Sequence, residues 1–226
     1  MRASIADLQA IPAFSKLDPR ALALVQGAVV ERTFPPGQMI FLEGEPGQGL
    51  WFLKDGRVRI YRVSAEGREQ GFCVMRAGMC CGCPLFYGET NPASAQALDT
   101  VTMYFIRAAA ALGLAEQSPE IGRALFGVFA NGEKILASLV VSLSCSHLAG
   151  RLAHLLLEQS QEPRARPHPQ SPPSVAFSHQ DLAGLLGTSR EVVTRSLDRL
   201  ARARAIQLGR RRIVILDPAK LRAMAR

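Results

Sequence analysis

Residues 177–204 constrain the fold more than any other stretch, because they carry the local signals of two short helices joined by a tight turn. Ser178 is followed three residues later by Asp181, which is the spacing of a helix-capping box. Gly187 follows the first helix and tolerates the positive φ that such a turn requires. The apolar positions of this helix are Leu182, Leu185 and Leu186. The stretch therefore predicts an amphipathic helix that ends in a glycine turn.

A second helix is predicted to start at Thr188, with Glu191 three residues later as another capping box. Its apolar stripe recurs at helical spacing and comprises Val193, Leu197 and Leu200. Its opposite face is polar and comprises Arg190, Glu191, Thr194 and Arg195. Two such helices form a helix-turn-helix, whose second helix fits the major groove of DNA. The alternative is an ordinary helix pair with a solvated charged face, but the caps, the glycine and the stripe all favour the first interpretation.

The sequences TSREVVTRSLDRL, residues 188–200, and AIQLGRRRIVILDPAKLRAMA, residues 205–225, resemble the DNA-binding domain of the Crp/Fnr transcription regulators. The resemblance implies that Arg190, Glu191 and Arg195 read base edges, and the Glu-x-x-Thr-Arg spacing is similar to the Fnr side of the family. Arginine can donate two hydrogen bonds to guanine, and glutamate can accept one from cytosine. Residues 205–208 and 213–216 predict a wing hairpin whose arginines contact phosphate without reading sequence. The predicted DNA contacts are Ser178, Thr188, Ser189, Arg190, Glu191, Thr194, Arg195, Arg199, Arg210, Arg211 and Arg212.

The net charge of +8 is confined to the C-terminal third of the chain. Residues 1–143 contain 13 Lys and Arg against 13 Asp and Glu, whereas residues 144–226 contain 14 against 6. A basic domain attached to a neutral one suits a polyanionic partner, and its coincidence with the helix-turn-helix favours double-stranded DNA over the alternative of a solvated cationic surface. The family resemblance implies that this DNA is a palindromic operator. The N-terminus has no apolar signal core, and no apolar run approaches a membrane span. We therefore expect a cytoplasmic protein with no membrane partner.

The N-terminal half predicts a short helical segment followed by a β-rich domain. Residues 1–32 look helical, with Asp18 as a cap and Pro19 at a first helical position. Beyond them, turn signals recur about every ten residues between short apolar runs, a pattern typical of an antiparallel barrel or sandwich. These runs are residues 39–42, 50–53 and 58–63. The sequence GLWFLKDGRVRIYRVSAEGREQ, residues 49–70, resembles the cyclic-nucleotide-binding-like β-roll of the same family.

The predicted fold class is therefore α+β, with three parts. Residues 1–118 form an N-terminal antiparallel β-roll of the cupin-like or jelly-roll type, and this is the sensor domain. Residues 119–143 form a long dimerisation helix, and residues 144–226 form a C-terminal winged helix-turn-helix domain.

The segment where a cyclic nucleotide binds in this family departs from the family pattern. Members that bind cAMP carry a Gly-Glu pair for the ribose and an Arg-Ser pair for the phosphate. This chain has Gly82-Cys83 and Asn91-Pro92 at those places. The cyclic phosphate would lose its charge-assisted hydrogen bonds to arginine, and those are the strong ones. We expect no cAMP binding.

Four of the five cysteines lie within eleven residues in the same segment: Cys73, Cys80, Cys81 and Cys83. Thiolates are soft ligands for iron–sulfur clusters, zinc or copper(I), and they also cycle between thiol and disulfide. In an extended strand, Cys81 and Cys83 would share one face and Cys80 would point to the other. The plainer alternative is that cysteines are small hydrophobes that bury readily. Their crowding in the expected effector pocket favours a redox, metal or gas sensor with these four residues as candidate metal ligands.

The known sensor types of the family fit only in part. Fnr-type regulators hold an iron–sulfur cluster with N-terminal cysteines, but residues 1–72 contain none, and Tyr104 stands where the β-roll ligand is expected. A haem-based gas sensor is less favoured, because residues 1–146 contain no histidine. A constitutive DNA-binding protein with a purely structural β-roll is a further alternative. An enzyme is not expected, because no nearby histidine or aspartate supplies a base for a cysteine nucleophile.

Residues 119–143 predict one long helix with two apolar stripes, capped by Ser118. A coiled-coil-like stripe comprises Ile121, Leu125, Val128, Gly132, Ile135 and Leu139. A second stripe, expected to pack on the β-roll, comprises Phe126, Phe129, Leu136 and Val140. The resemblance implies a homodimer through this helix, with two recognition helices about 34 Å apart. It also implies RNA polymerase as a further partner, and residues 142–146 are the predicted hinge.

Overall fold

The computed structural model describes residues 3–81, 90–145, 147–161, 165, 171–210 and 212–225. The chain divides into two compact units, Met1–Arg62 with Phe72–Leu136, and Val63–Gly71 with Ala137–Arg226. The helices are α1 (Ile5–Gln9), α2 (Pro19–Ala28), α3 (Ala108–Gln117), α4 (Pro119–Cys145), α5 (Leu148–Ser160), α6 (His179–Leu186), α7 (Arg190–Arg202) and α8 (Pro218–Met224). The strands are β1 (Val29–Phe34), β2 (Met39–Phe41), β3 (Gly49–Asp55), β4 (Val58–Val63), β5 (Glu69–Met75), β6 (Cys80–Cys81), β7 (Ser94–Ala97), β8 (Val101–Arg107), β9 (Ser174–Val175), β10 (Ile206–Gly209) and β11 (Arg212–Ile215).

The N-terminal helices end earlier than the sequence indicated. The predicted cap is confirmed, since the Asp18 carboxylate accepts from the Ala21 N–H at 2.7 Å and Pro19 opens α2. However, the chain is a strand from Val29 onward, so the prediction of helix through residue 32 was wrong there. The β-branched pair Val29 and Val30 favours extended backbone, and β1 pairs along its whole length with β8.

The β-roll consists of two four-stranded sheets, in the orders β1-β8-β3-β6 and β2-β7-β4-β5. The described strand pairs are antiparallel. The predicted runs at residues 39–42, 50–53 and 58–63 are found as β2, β3 and β4. This arrangement confirms the predicted α+β class with an antiparallel, jelly-roll-like N-terminal part.

The β1-β8-β3-β6 sheet separates two hydrophobic clusters. Alternate residues of β3 serve opposite faces, as strand geometry requires. Leu50 and Phe52 pack with side chains of α1 to α4, including Leu8, Leu22 and Ile121. Trp51 and Leu53 instead join the cluster inside the roll. The members of this roll-interior cluster include Phe34, Val58, Met75, Cys81, Met103 and Phe105.

The second unit contains α5 to α8 and a three-stranded sheet in the order β10-β11-β9. The predicted wing strands are found as β10 and β11, one residue away from their predicted bounds. The sequence did not indicate β9, which has only two residues and pairs with β11 through Val175 and Ser174. Its apolar core includes Leu182, Leu186, Val193, Leu197, Leu200 and Leu221.

Helix α4 is continuous from Pro119 to Cys145, so the predicted hinge at residues 142–146 is helical as far as Cys145. Its stripes are used differently from the expectation. Ile121 and Leu125 are buried in the first unit, whereas Phe126 is 74% exposed. The other large apolar side chains of α4 that are exposed are Leu136, Val140, Val141 and Leu143. The assignment of Phe126, Leu136 and Val140 to the β-roll was therefore wrong, whereas Phe129 of the same stripe does pack against the cluster that includes β-roll residues. Periodicity identifies a stripe but not its neighbour.

Within the described residues, Pro119–Ser144 is the one helical segment long and apolar enough to cross a membrane, judged by length and composition alone. The expectation that no segment reaches this threshold was therefore wrong. Glu133 and Lys134 interrupt its apolar sequence. Only 6% of its most apolar stretch is buried. An exposed apolar helix of this kind also suits contact with another protein surface.

Candidate nucleic-acid interface and effector site

The turn between α6 and α7 is fixed by hydrogen bonds at both of its ends. The predicted capping box of α6 is confirmed: the Asp181 N–H donates to Ser178 Oγ at 3.1 Å, and the Ser178 N–H donates to Asp181 Oδ2 at 2.9 Å. Gly187 ends α6 in the left-handed conformation, with φ of 65°. The Thr188 N–H then donates to the Ala183 carbonyl at 3.0 Å. Such a bond is typical of a glycine-terminated helix.

The cap of α7 lies one residue later than predicted. Ser189, not Thr188, is the N-cap, and its Oγ accepts from the Val192 N–H at 3.5 Å. The proposed capping box of Thr188 with Glu191 was therefore wrong. The cap is displaced because the Thr188 N–H already donates to the Ala183 carbonyl at the end of α6. The next residue with a hydroxyl group, Ser189, therefore caps α7.

Helix α7 presents a buried apolar edge and an exposed polar edge. Val193, Leu197 and Leu200 are fully buried, which confirms the predicted stripe. The polar edge comprises Arg190, Glu191, Arg195 and Arg199, all exposed. The pKa of the Glu191 carboxyl lies below its ordinary value, because its own backbone N–H and then the Ser189 hydroxyl donate to it, and the charges of Arg190 and Arg195 add to the shift. Glu191 is therefore an acceptor at neutral pH, flanked by two donors.

The hydroxyl groups of two predicted DNA-contact residues, Thr194 and Ser178, form hydrogen bonds within the protein. Thr194 Oγ1 donates to the Arg190 carbonyl at 2.9 Å and lies 2.8 Å from His179 Nδ1. Ser178 Oγ donates to Asp181 Oδ2 at 2.6 Å. His179, which the sequence did not single out, thus joins the start of α6 to the middle of α7. The available signal was its position directly after the cap.

Arg151 also supports the turn, although its sequence suggested only a surface or packing residue. Its Nη2 donates to the Leu186 carbonyl at 2.5 Å. Burial lowers the pKa of Arg151. Because carbonyls at the end of a helix lack intrahelical donors, this bond from α5 fixes the end of α6. No local sequence pattern reveals such a contact.

The wing is a tight hairpin next to this helix pair in the chain. Gly209 pairs with Arg212 across the hairpin, and Arg210 lies in its turn. Arg210 and Arg212 are exposed, while Arg211 lies outside the described residues. Ile206, Ile213 and Ile215 are buried beneath the hairpin. The wing therefore presents the exposed Arg210 and Arg212 on a hairpin with a buried apolar base.

The cysteines divide between the two faces of the β1-β8-β3-β6 sheet. Cys81 is the register partner of Trp51 and belongs to the roll-interior cluster. Cys73 packs against the same cluster. Cys80 is the register partner of Phe52 and packs on the opposite, helix-covered face. Cys83 lies outside the described residues, and among those described no group of three or more His, Cys, Asp or Glu side chains is placed to hold a metal.

The position expected to hold a phosphate-binding arginine has a structural use instead. Asn91 is buried, and its Nδ2 donates to the Leu42 carbonyl at 3.2 Å. Its backbone bonds with Glu45 and Gly44 as well. Asn91 thus holds the β2–β3 connection, while the Gly82-Cys83 pair lies outside the described residues.

Tyr104, at the place of the expected cluster ligand, is fully buried on the helix-covered face. Burial raises the pKa of its phenol. Lys54 Nζ lies 5.2 Å from its ring centroid and forms ion pairs with Asp7 at 3.2 Å and Glu31 at 3.1 Å. The site is thus occupied by a packed aromatic ring beside an ion-pair network.

Comparison with known proteins gives a consistent result over most of the chain. Residues 31–118 match the cyclic nucleotide-binding domain family, and residues 150–224 match the Crp-like helix-turn-helix domain family. The cyclic AMP receptor protein of Thermus thermophilus is 28% identical over 216 residues, covering 95% of this chain and 96% of the relative. The fumarate and nitrate reduction regulatory protein of Vibrio cholerae is 25% identical, covering 87% and 80%. A solved transcriptional regulator of the CRP/FNR family from Thermus thermophilus aligns with a TM-score of 0.75 and 26% identity, covering 87% of this chain and 98% of that one.

Proposed function

The chain belongs to the Crp/Fnr family of transcription regulators, and on that premise we propose that it is a dimeric, sequence-specific DNA-binding regulator that senses a redox, metal or gas signal through cysteines rather than cAMP. These relatives are regulators and not enzymes. The observation that carries the DNA-binding part is the exposed polar edge of α7, in the part of the chain that holds the whole net charge of +8. Its arginines would read guanine, and Glu191 would accept from cytosine.

A palindromic operator requires two copies of α7, and the exposed stripe of α4 supports a second copy of this chain as the partner. Phe126, Leu136 and Val140 recur along one side of the helix and are more than half exposed. In a twofold dimer the stripe of one protomer contacts the same stripe of its partner, so each of these side chains would be buried in both protomers. The relatives are DNA-binding regulators, so this stripe suits a protein interface better than a membrane, and we propose a cytoplasmic location. RNA polymerase is a further proposed partner for activation.

The DNA-binding part is tested by the Arg195→Ala variant. Fluorescence anisotropy would compare a palindromic duplex of the family type with a scrambled duplex of equal length and charge. Loss of one bidentate base contact should cost about 1–3 kcal/mol per half-site, so the variant should lose about 2–6 kcal/mol of its preference for the palindrome over the scrambled duplex. Arg20→Ala is the matched control, since Arg20 is exposed on α2 and belongs neither to the polar edge of α7 nor to the exposed stripe of α4. An Arg195→Ala protein that keeps full preference for the palindrome would refute the assigned base contact.

The proposed lack of cAMP binding rests on Asn91. A neutral, buried side chain with partners in the β2–β3 connection cannot supply the cation that a cyclic phosphate requires. Around the interior, Trp51, Met103 and Phe105 supply apolar surface instead. Isothermal titration with cAMP should therefore show no binding at micromolar concentration. A micromolar dissociation constant would overturn this part and leave the DNA-binding part intact.

The proposed sensor is the cysteine set of the roll interior. Cys73 and Cys81 contribute to one cluster and Cys80 to another, so a four-thiolate site with Cys80 does not fit the described strands. Cys73 and Cys81, joined by Cys83 from outside the described residues, remain the candidate ligands for a thiophilic metal or cluster. A redox role would instead transfer two electrons from a thiol pair to an external oxidant and release two protons, forming a disulfide.

The sensor is tested by comparing Cys81→Ser with Cys80→Ser, neighbours on opposite faces of one strand. Operator affinity would be measured after anaerobic purification and again after exposure to diamide or zinc. A visible absorption spectrum of the purified protein would detect a cluster or haem. We expect Cys81→Ser to abolish the response and Cys80→Ser to preserve it. Equal operator affinity of the wild-type protein under all conditions would indicate a constitutive regulator with a structural β-roll.

A further inference from the structure

We propose that His179 is a proton-dependent contact to the DNA backbone, in which the charged imidazole binds a phosphate and the neutral imidazole does not. The inference rests on the proposed DNA-binding function and adds to it a residue outside the polar edge of α7. It follows from two hydrogen bonds that share one hydroxyl group, Thr194 Oγ1.

The first step fixes the tautomer of His179. The Thr194 hydroxyl has one hydrogen, and its Oγ1 lies 2.9 Å from the Arg190 carbonyl oxygen; two oxygens at this distance need a hydrogen between them, and only the hydroxyl can supply it. Thr194 Oγ1 therefore acts as the acceptor toward His179 Nδ1 at 2.8 Å. The proton of a neutral His179 must then lie on Nδ1, which leaves Nε2 with a lone pair.

The second step concerns what Nε2 can bind. Phosphate oxygens only accept hydrogen bonds, so a lone pair on Nε2 opposes them. Protonation turns Nε2 into a charged donor, and charge-assisted hydrogen bonds to phosphate are the strong ones. Histidine is the side chain that ordinarily changes charge between pH 5 and 8. Binding a phosphate at Nε2 should therefore take up a proton.

The third step places the ring beside DNA. His179 opens α6 and is only half-buried. It is linked through Thr194 to the Arg190 carbonyl at the start of α7. In helix-turn-helix proteins the beginning of the recognition helix meets base edges, and the preceding helix crosses the phosphate backbone. The start of α6 is thus the part of this helix pair where a phosphate contact is expected.

Other charged groups near this pair do not explain a pH dependence by themselves. Within about one turn of Thr194, α7 carries Arg190, Glu191, Arg195 and Asp198, and α6 carries Asp181, which is held in the capping box. Arginine and carboxylate side chains ordinarily keep their charge between pH 5.5 and 8.5. On α5, which also packs against α6, the charged or titratable side chains are Arg151, His154 and Glu158, and Arg151 binds at the opposite end of α6. His154 is exposed and serves as the control.

The test measures operator affinity from about pH 5.5 to about pH 8.5 at constant ionic strength. Wild-type affinity should fall by at least tenfold over this range, the usual minimum worth of a hydrogen bond to a charged group. The salt dependence should be steeper at the acidic end by about 0.9 per protomer, because one more phosphate is neutralised. His179→Gln should show neither effect, since its amide does not titrate, whereas His154→Gln should show both.

A second measurement needs no DNA. Nitrogen NMR of the ¹⁵N-histidine-labelled protein at about pH 8.5 should show His179 protonated on Nδ1, and a proton on Nε2 would overturn the inference. The inference is also overturned if the wild-type protein binds operator equally at every pH, or if His179→Gln keeps the full pH dependence. If neither protein binds any operator while the tautomer is as expected, the proposed function fails instead.

Discussion

Truncating Phe126 should separate dimerisation from folding. Full burial of a phenylalanine side chain contributes about 1.5–3 kcal/mol, and Phe126 is 74% exposed in one protomer. About 1–2 kcal/mol per protomer is then available to a dimer interface, and twofold symmetry counts it twice. Phe126→Ala should weaken dimerisation by about 2–4 kcal/mol, which is roughly 30- to 700-fold in dissociation constant. Sedimentation equilibrium of both proteins would measure this change.

The adjacent residue supplies the contrasting variant. Leu125 is only 3% exposed and belongs to the core of the first unit. Leu125→Ala should lower the free energy of unfolding of the protomer by about 2–5 kcal/mol, whereas Phe126→Ala should change it by less than about 0.5 kcal/mol. Urea unfolding at protein concentrations below the dimer dissociation constant would measure both. Our reasoning is refuted if Phe126→Ala leaves the dimer constant unchanged while the wild-type protein is dimeric.

Three further experiments test the turn, the wing and the ion pair of the N-terminal helix. Gly187→Ala should lower the free energy of unfolding by about 1–2 kcal/mol, because the backbone of this residue is left-handed. Gly113→Ala should instead raise it by about 0.5–1 kcal/mol, because Gly113 lies inside α3 with open space around it. Urea titrations would show whether the two changes have opposite signs. Arg210→Ala should weaken binding to all DNA sequences alike and reduce the salt slope by about 0.9 per lost phosphate contact, and a changed base preference in a binding-site selection would contradict it. The pKa of Asp7 lies below its ordinary value, chiefly because the Ser4 hydroxyl and then Lys54 hydrogen-bond to it, so its stabilising effect is present above about pH 4 and is lost as the pH falls through the lower folded-state pKa. Asp7→Asn should therefore be less stable than wild type at neutral pH, and thermal unfolding should show the difference vanishing in acid.

Local signals predicted the elements whose determinants are local. The Asp18-Pro19 start of α2 and the capping box of α6 follow from hydrogen bonds between residues three apart. The buried stripe of α7 follows from helical periodicity alone. The cap of α7 was misplaced by one residue because the Thr188 backbone serves the preceding helix, and a sequence window that treats α7 separately cannot detect that competition.

Tertiary context decided what the sequence left open. The two stripes of α4 are similarly apolar, and only packing in the fold determines that Leu125 is buried and Phe126 is not. Strand parity correctly placed Cys80 and Cys81 on opposite faces. It could not tell which of them shares a cluster with Cys73, because that depends on the pairing of β6 with β3. The contact of Arg151 with α6 spans 35 residues and leaves no local pattern.

The proposed dimer interface also limits how a cysteine signal can act. A signal changes DNA affinity only if it stabilises one state of the protein more than another, and couplings of about 1–3 kcal/mol are typical. Loss of Phe126 removes a comparable amount from the dimer, and a palindromic operator needs both protomers. Phe126→Ala should therefore behave like a protein without its activating signal. Below the dimer constant, its operator occupancy should rise with the square of the protein concentration, because two protomers must assemble on the DNA. If the occupancy instead rises in simple proportion to protein concentration below the measured dimer constant, α4 cannot be the element through which the cysteines act.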